Sequence, residues 1–200
     1  LEDHIREVCT ELFAEVAGRP SFDYVQDFAA QVPSRVISRL VGVPEAEREE
    51  QRHNIDDMLH LEPDVGMLNE RALAARQRLW EYLRGLVERR QAHPEDDLIS
   101  VLCQAEVQGE DGELHRLTDQ EITGFAVLLY GAGTETVMRL LGNAAVLLER
   151  HPDQRDDLIA HPDLVGNAIE ELLRYEAPSP VQGRWTLKDV VVHGTQIPAE

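Results

Sequence analysis

The chain of 200 residues carries a net charge of −19, with 38 acidic against 19 basic side chains, which argues against nucleic acid as a partner. Its 42% hydrophobic content can build a core for one large domain or two small ones. No uninterrupted apolar run approaches the roughly 20 residues that span a bilayer, and no secretory signal is visible in a sequence that begins at Leu1, so the chain reads as cytoplasmic with no membrane partner.

Leu1 to Ala17 spaces Ile5, Val8, Cys9, Leu12, Phe13 and Val16 as one face of a helix, which Gly18, Arg19 and Pro20 end. A short extended link follows from Ser21 to Val25. Helix resumes from Phe28 to Val41 despite Pro33, with Val32, Val36, Ile37 and Leu40 on one side, and Gly42 and Pro44 close it. A charged helix is expected from Glu45 to Leu61, then a loop from Glu62 to Gly66. Met67 to Arg90 reads as a long helix with its stripe on Leu68, Ala72, Ala75, Leu79, Leu83, Leu86 and Val87. After Pro94, Asp96 to Val107 makes another, with Leu98, Val101 and Leu102 inward, and Gln108 to Leu117 is a polar hairpin or loop. Cys9 and Cys103 lie far apart without metal or redox spacing and read as core thiols in a reducing compartment.

The longest helical pattern runs from Thr118 to Arg150. Thr118 with Glu121 three residues on is the capping-box spacing, in which side chains satisfy the first free amides. From Phe125 to Ala132 this helix is apolar on every side, a composition that predicts burial all round. Thr134, Glu135 and Thr136 then place polar groups where burial makes them costly, and Gly131 and Gly133 each cost about 1 kcal/mol relative to alanine. Two explanations fit. The glycines let a neighbouring helix approach and the threonines bond back to the preceding turn, or the point is an active site.

His151-Pro152 stops the helix, a short one runs from Asp153 to Ala160, and His161-Pro162 precedes the helix Asp163 to Tyr175, whose core face is Val165, Ile169, Leu172 and Leu173. Glu171 and Arg174 stand i,i+3 on the other side. The same spacing recurs at Glu45/Arg48, Glu49/Arg52 and Glu81/Arg84, so alone it indicates only a solvated contact. Arg184 to Leu187 and Val190 to Val192 are strand-like, with a turn at His193-Gly194 before Thr195 to Pro198. The fold class is mainly α with a small C-terminal β element.

EELLRYEAPSPVQGR, from Glu170 to Arg184, follows the helix bearing GAGTET by about forty residues. In these two motifs, their order and their separation, the sequence resembles a bacterial cytochrome P-450, a haem-thiolate monooxygenase. The resemblance covers essentially the whole chain, from the family's D helix to the strand pair after its K helix. It implies the P-450-type helical fold, in which residues 1–200 form part of a single domain. Ala132-Gly133-Thr134-Glu135-Thr136 is similar to the family's A-G-x-D/E-T element, where the long helix passes over the haem. Ala132 and Gly133 would leave room for oxygen and substrate, which would explain the glycines. Thr136 would supply the hydroxyl that hydrogen-bonds dioxygen, and Glu135 the acid that helps relay protons. Arg184 would contact a haem propionate. Glu171 and Arg174 would be the E-x-x-R pair, buried against a later segment and structural. Leu128, Gly131, Pro180, Val181 and Gln182 would line the substrate pocket, and the loop Glu62 to Gly66 would belong to a mobile lid.

The family's haem-ligating cysteine lies in an F-x-x-G-x-x-x-C-x-G loop that this sequence does not contain, and neither Cys9 nor Cys103 has that context. The expectation is therefore a portion of a longer protein, lacking the N-terminal helices and the cysteine loop and not competent alone, with the axial cysteine outside this chain. The full-length protein would oxidise an apolar small molecule with dioxygen and electrons from a ferredoxin- or flavodoxin-type donor. The alternatives are a helical scaffold without cofactor and a truncated relative without haem.

Overall fold

The computed structural model describes residues 1–66, 68–109 and 112–199. Met67, the expected start of the second long helix, lies outside them, as do Glu110 and Asp111 of the polar connection and the final Glu200.

Helix α1 (Glu2–Val16) buries Val8, Leu12 and Val16. They pack on a π-helical turn (Val25–Ala29) and on α2 (Gln31–Val41). The link after α1 is shorter than expected because Asp23 caps the turn, its Oδ1 accepting from the amides of Val25 (2.9 Å) and Gln26 (3.0 Å). Pro33 is tolerated because it sits in the first turn of α2, where its missing N–H has no intrahelical partner to lose.

Gly42 ends α2 at φ +91°, the left-handed cap that glycine adopts without steric cost. Helix α3 (Glu45–Met58) stops three residues earlier than its charge pattern suggests. Helix α4 (Glu70–Ala92) starts from Asn69, whose side chain accepts the Ala72 amide at 2.8 Å. Leu68 precedes the cap and is exposed, so it drops out of the expected stripe, whereas Ala72, Ala75, Leu79, Leu83, Leu86 and Val87 are all buried.

Helix α5 (Leu98–Gln104) is shorter than its pattern. Asp97 is its N-cap, with Oδ1 accepting the Ser100 amide at 2.8 Å, and that start turns Ile99 inward and Val101 out to solvent. The residues expected to extend it instead form strand β1 (Glu106–Gln108), which pairs antiparallel with β2 (Leu114–Arg116).

Helix α6 (Asp119–Arg150) runs 32 residues and starts with both halves of the Thr118/Glu121 capping box in place. It is not buried all round. Ile122, Ala126, Tyr130, Gly131 and Thr134 face the core shared with α2, α3, α4 and α5, while Phe125, Leu128, Ala132 and Thr136 are exposed. The all-apolar composition hid a two-faced helix, since exposed apolar residues look like core residues to a periodicity argument. Tyr130, wholly buried, shares a 2.8 Å hydrogen bond between its hydroxyl and that of Ser38 on α2.

Beyond α6 come α7 (Pro152–Ala160), a 3-10 turn (Pro162–Leu164) and α8 (Val165–Tyr175). The expected core face of α8 is largely open: Val165, Ile169 and Leu173 are exposed and only Leu172 is half-buried. Strands β3 (Val190–Val192) and β4 (Thr195–Ile197) form the expected hairpin. Arg184 to Leu187 form no strand, because no partner strand among the described residues offers them a ladder.

Candidate active site

Four turns of α6 form one wall of a cleft of about 610 Å³. Its lining from α6 includes Gly124, Val127, Leu128, Gly131, Ala132, Glu135, Thr136 and Arg139. Facing it are Met58 and Leu59 at the end of α3, Leu61 of the following loop, Arg76 and Trp80 on α4, and Pro178, Ser179 and Pro180 after α8. The cleft therefore gathers Glu135, Thr136, Ala132, Leu128, Gly131 and Pro180, six of the residues that the sequence motifs singled out. Val181 and Gln182 lie just beyond it in an exposed segment, where Gln182 Nε2 donates to Ser179 Oγ at 2.8 Å.

Thr134, Glu135 and Thr136 on α6 are each satisfied within the helix. Buried Thr134 donates back to the Tyr130 carbonyl at 3.0 Å, the bond that lets a hydroxyl sit inside a helix bundle. Thr136 donates to the Ala132 carbonyl at 2.8 Å and, unlike Thr134, presents its oxygen on the open face. Glu135 is 15% exposed at its side chain and pairs with Arg139 one turn on, at 2.7 Å. Behind it on α3, Arg52 is buried between Glu49 (2.7 Å) and Asp56 (2.8 Å). Burial holds the Asp56 carboxyl above its ordinary range, opposed by Arg52 and reinforced by the charge of Glu135.

The glycines have a packing role. A Cβ on Gly131 would stand 3.1 Å from the Met58 methyl on α3, and one on Gly133 would stand 3.1 Å from Ile37 Cδ1 on α2. Gly133 is turned away from the cleft, so the expectation that it clears space for a ligand is corrected: it clears space for α2. Ala132 alone of the pair faces the opening.

Glu171 and Arg174 form a bidentate pair, at 2.7 Å for each bond. Each side chain is well exposed among the described residues. The Arg174 hydrogen bond lowers the Glu171 pKa. Arg184 is exposed, lies outside the cleft, and donates to the neighbouring Gly183 carbonyl at 2.7 Å.

The loop after α3 closes on itself through reciprocal backbone bonds between Glu62 and Gly66, with Asp64 at φ +65°. Asn69, 2% exposed, ties it down by donating to the carbonyls of His60 (2.8 Å) and Gly66 (2.9 Å).

Sequence reasoning missed Trp80, Arg76 and Met58. Arg76 and Trp80 are an i,i+4 pair beside the core stripe of α4, a position that reads as ordinary surface until α6 is seen opposite.

The cytochrome P450 family profile matches residues 38–200. The chain is 36% identical over 200 residues to the vitamin D(3) 25-hydroxylase of Pseudonocardia autotrophica, covering 100% of this chain and 47% of that protein. To the biotin biosynthesis cytochrome P450 of Bacillus subtilis it is 32% identical over 199 residues, covering 98% of this chain and 49% of the relative. Among solved structures, a mutant of P450 EryK in complex with erythromycin B superposes with a TM-score of 0.88 at 34% identity, covering 100% of this chain and 50% of that one. P450BioI in complex with an acyl carrier protein ligated to hexadec-9Z-enoic acid gives 0.87 at 31%, covering 99% and 50%. The chain thus spans about half the length of the relatives it matches. With its long α6, the cleft against it and a profile match across most of its length, it belongs to the cytochrome P450 family.

Proposed function

We propose that the full-length protein is a haem-dependent monooxygenase that inserts one oxygen atom of dioxygen into an apolar small molecule. Its electrons would come from a ferredoxin- or flavodoxin-type donor. The observation that carries this reading is the open wall of α6, where exposed Thr136 and Ala132 stand beside Glu135 on one cleft.

The residues present suit a haem. Ala132 gives the wall a flat approach, and Arg184 is an exposed guanidinium with no carboxylate partner among the described residues, suited to a propionate. The thiols at hand do not suit the axial position. Cys9 and Cys103 are half-buried on α1 and α5, and burial raises both pKa values, the opposite of what a thiolate ligand needs. The axial cysteine is therefore assigned to the remainder of the protein. When bound, the haem supplies oxygen activation at its iron.

What this chain contributes is placement and protons. Thr136 keeps its own proton on the Ala132 carbonyl and so offers its oxygen lone pairs to a donor in the cleft. Glu135, held in place by the half-exposed Arg139, stands at the edge of the cleft and can accept and release a proton at its own carboxylate oxygens. Met58, Leu59, Trp80 and Leu128 exclude water from an apolar ligand.

The deciding experiment is the reduced, carbon monoxide-bound absorption spectrum of the full-length protein. A Soret band shifted well to the red of ordinary haem proteins is expected. Haem without that shift would remove the thiolate assignment, and no haem at all would return the chain to a scaffold or a relic.

A further inference from the structure

Among the described residues, the mostly apolar cleft along α6 carries three charged side chains, Arg76, Glu135 and Arg139, beside the hydroxyls of Thr136 and Ser179. Two of the charges neutralise each other, since Arg139 is held on Glu135 at 2.7 Å. Arg76 is different. On the same helix, Arg71 and Arg78 are both anchored to Asp57, at 2.6 Å and 3.2 Å. Arg76, on the side that faces α6 with Trp80, has no carboxylate within ion-pair distance among the described residues. The cleft therefore carries one uncompensated positive charge in a chain whose net charge is −19.

We infer that the cleft takes an amphiphile with an apolar body and a carboxylate head, and that Arg76 binds the head. This deepens, and rests on, the reading of the cleft as a substrate pocket. Met58, Leu59 and Leu128 offer nothing polar to a ligand's body, so a body rich in polar groups would lose most of its water contacts without replacement. Arg76 is exposed, and its guanidinium presents parallel N–H donors that match a carboxylate in two bonds, a fit that adds geometric specificity to the charge. A single cation balances a singly charged head, whereas a phosphate monoester would bring charge that nothing in the cleft offsets. Holding the head on α4 fixes which part of the body lies against Ala132 and Thr136, so Arg76 acts as a specificity-determining residue.

The test is calorimetric titration of the full-length holoprotein with decanoate and with decan-1-ol, which share a chain and differ in the head. Wild type should bind decanoate at least about tenfold more tightly, the scale of one charge-assisted hydrogen-bonded contact. Arg76→Gln should abolish that preference while leaving the alcohol's affinity unchanged, and Arg76→Lys should retain part of it. Equal affinities in wild type, binding of neither ligand, or a preference that survives Arg76→Gln would each overturn the assignment. So would a fall in haem content in Arg76→Gln with the preference intact, because Arg76 would then serve the cofactor's own carboxylates. Should the glutamine variant fail to fold, the wild-type preference and its weakening in salt decide the matter. The carbon monoxide spectrum judges the monooxygenase reading separately: a missing thiolate band beside an intact decanoate preference removes that reading and leaves Arg76 as the head-group residue.

Discussion

Thr134 and Thr136 are two residues apart on one helix, make the same kind of bond to the preceding turn, and do different things. Thr134 is buried and its hydroxyl is spent within the bundle, whereas Thr136 keeps its oxygen on the cleft. Replacing Thr136 by alanine should leave the carbon monoxide band intact and lower product formed per electron donor consumed by up to about 100-fold, the usual scale for a lost proton-handling group. Stoichiometry of product against donor oxidation measures it. The glycines divide similarly. At Gly131 the obstructing atom is the tip of a flexible methionine, so Gly131→Ala should shift the stability of the full-length protein by less than about 1 kcal/mol, since helix propensity offsets the crowding. At Gly133 the obstruction is a buried, β-branched isoleucine, and Gly133→Val should cost about 1–3 kcal/mol from overpacking. Denaturant midpoints of the two variants check the contrast.

At the scale of elements, the end of α2 is joined to α4 and α5 by a device no periodicity reveals. Arg90 from α4 reaches across to ion-pair with Asp97 and to donate to the Gly42 carbonyl at 3.1 Å, in a buried pocket where α2 ends. A side chain at Gly42 would run into the Asp97 carboxylate and would also strain the left-handed backbone. Gly42→Ala should therefore cost about 3 kcal/mol or more, from a disrupted buried ion pair together with the backbone penalty, read as a lowered melting temperature. In α3, the Arg52 hydrogen bond holds the Glu49 carboxyl below its ordinary value of 4.5. A depressed carboxyl stabilises the folded state fully above its unfolded pKa and loses that contribution as pH falls through the folded one. The stability gap between wild type and Glu49→Gln should then be present at neutral pH and close below about pH 4.5, which urea unfolding across pH measures. Of the i,i+3 pairs in the sequence, Glu49/Arg52 carries a buried arginine and Glu171/Arg174 an exposed one, although the letters are the same.

Across the whole molecule, the helices were legible because their caps and stripes are local: Thr118 with Glu121 opens α6, and the α4 stripe from Ala72 to Val87 is buried residue for residue. What was not legible depends on neighbours. Phe125 and Leu128 look like core, yet they wall the cleft or face solvent, and Gly133 looks like ligand space, yet it meets Ile37. The site's motif residues could be found because their order along the chain is distinctive. Trp80 and Arg76 could not, since their importance arises only from α6 lying opposite. The α3–α4 connection adds a last consequence. Asn69 uses one side chain both to hold the loop carbonyls of His60 and Gly66 and to receive the Ala72 amide. Lifting the loop and uncapping α4 are therefore one event, and in deuterated solvent the Ala72 amide should exchange at the rate at which the loop opens. Asn69→Ala should speed that exchange by at least about tenfold, from the loss of a buried cap and two loop bonds, while the Leu83 amide in mid-α4 keeps its wild-type rate. Labelling times at that single amide would then report how often the loop after α3 lifts from the start of α4.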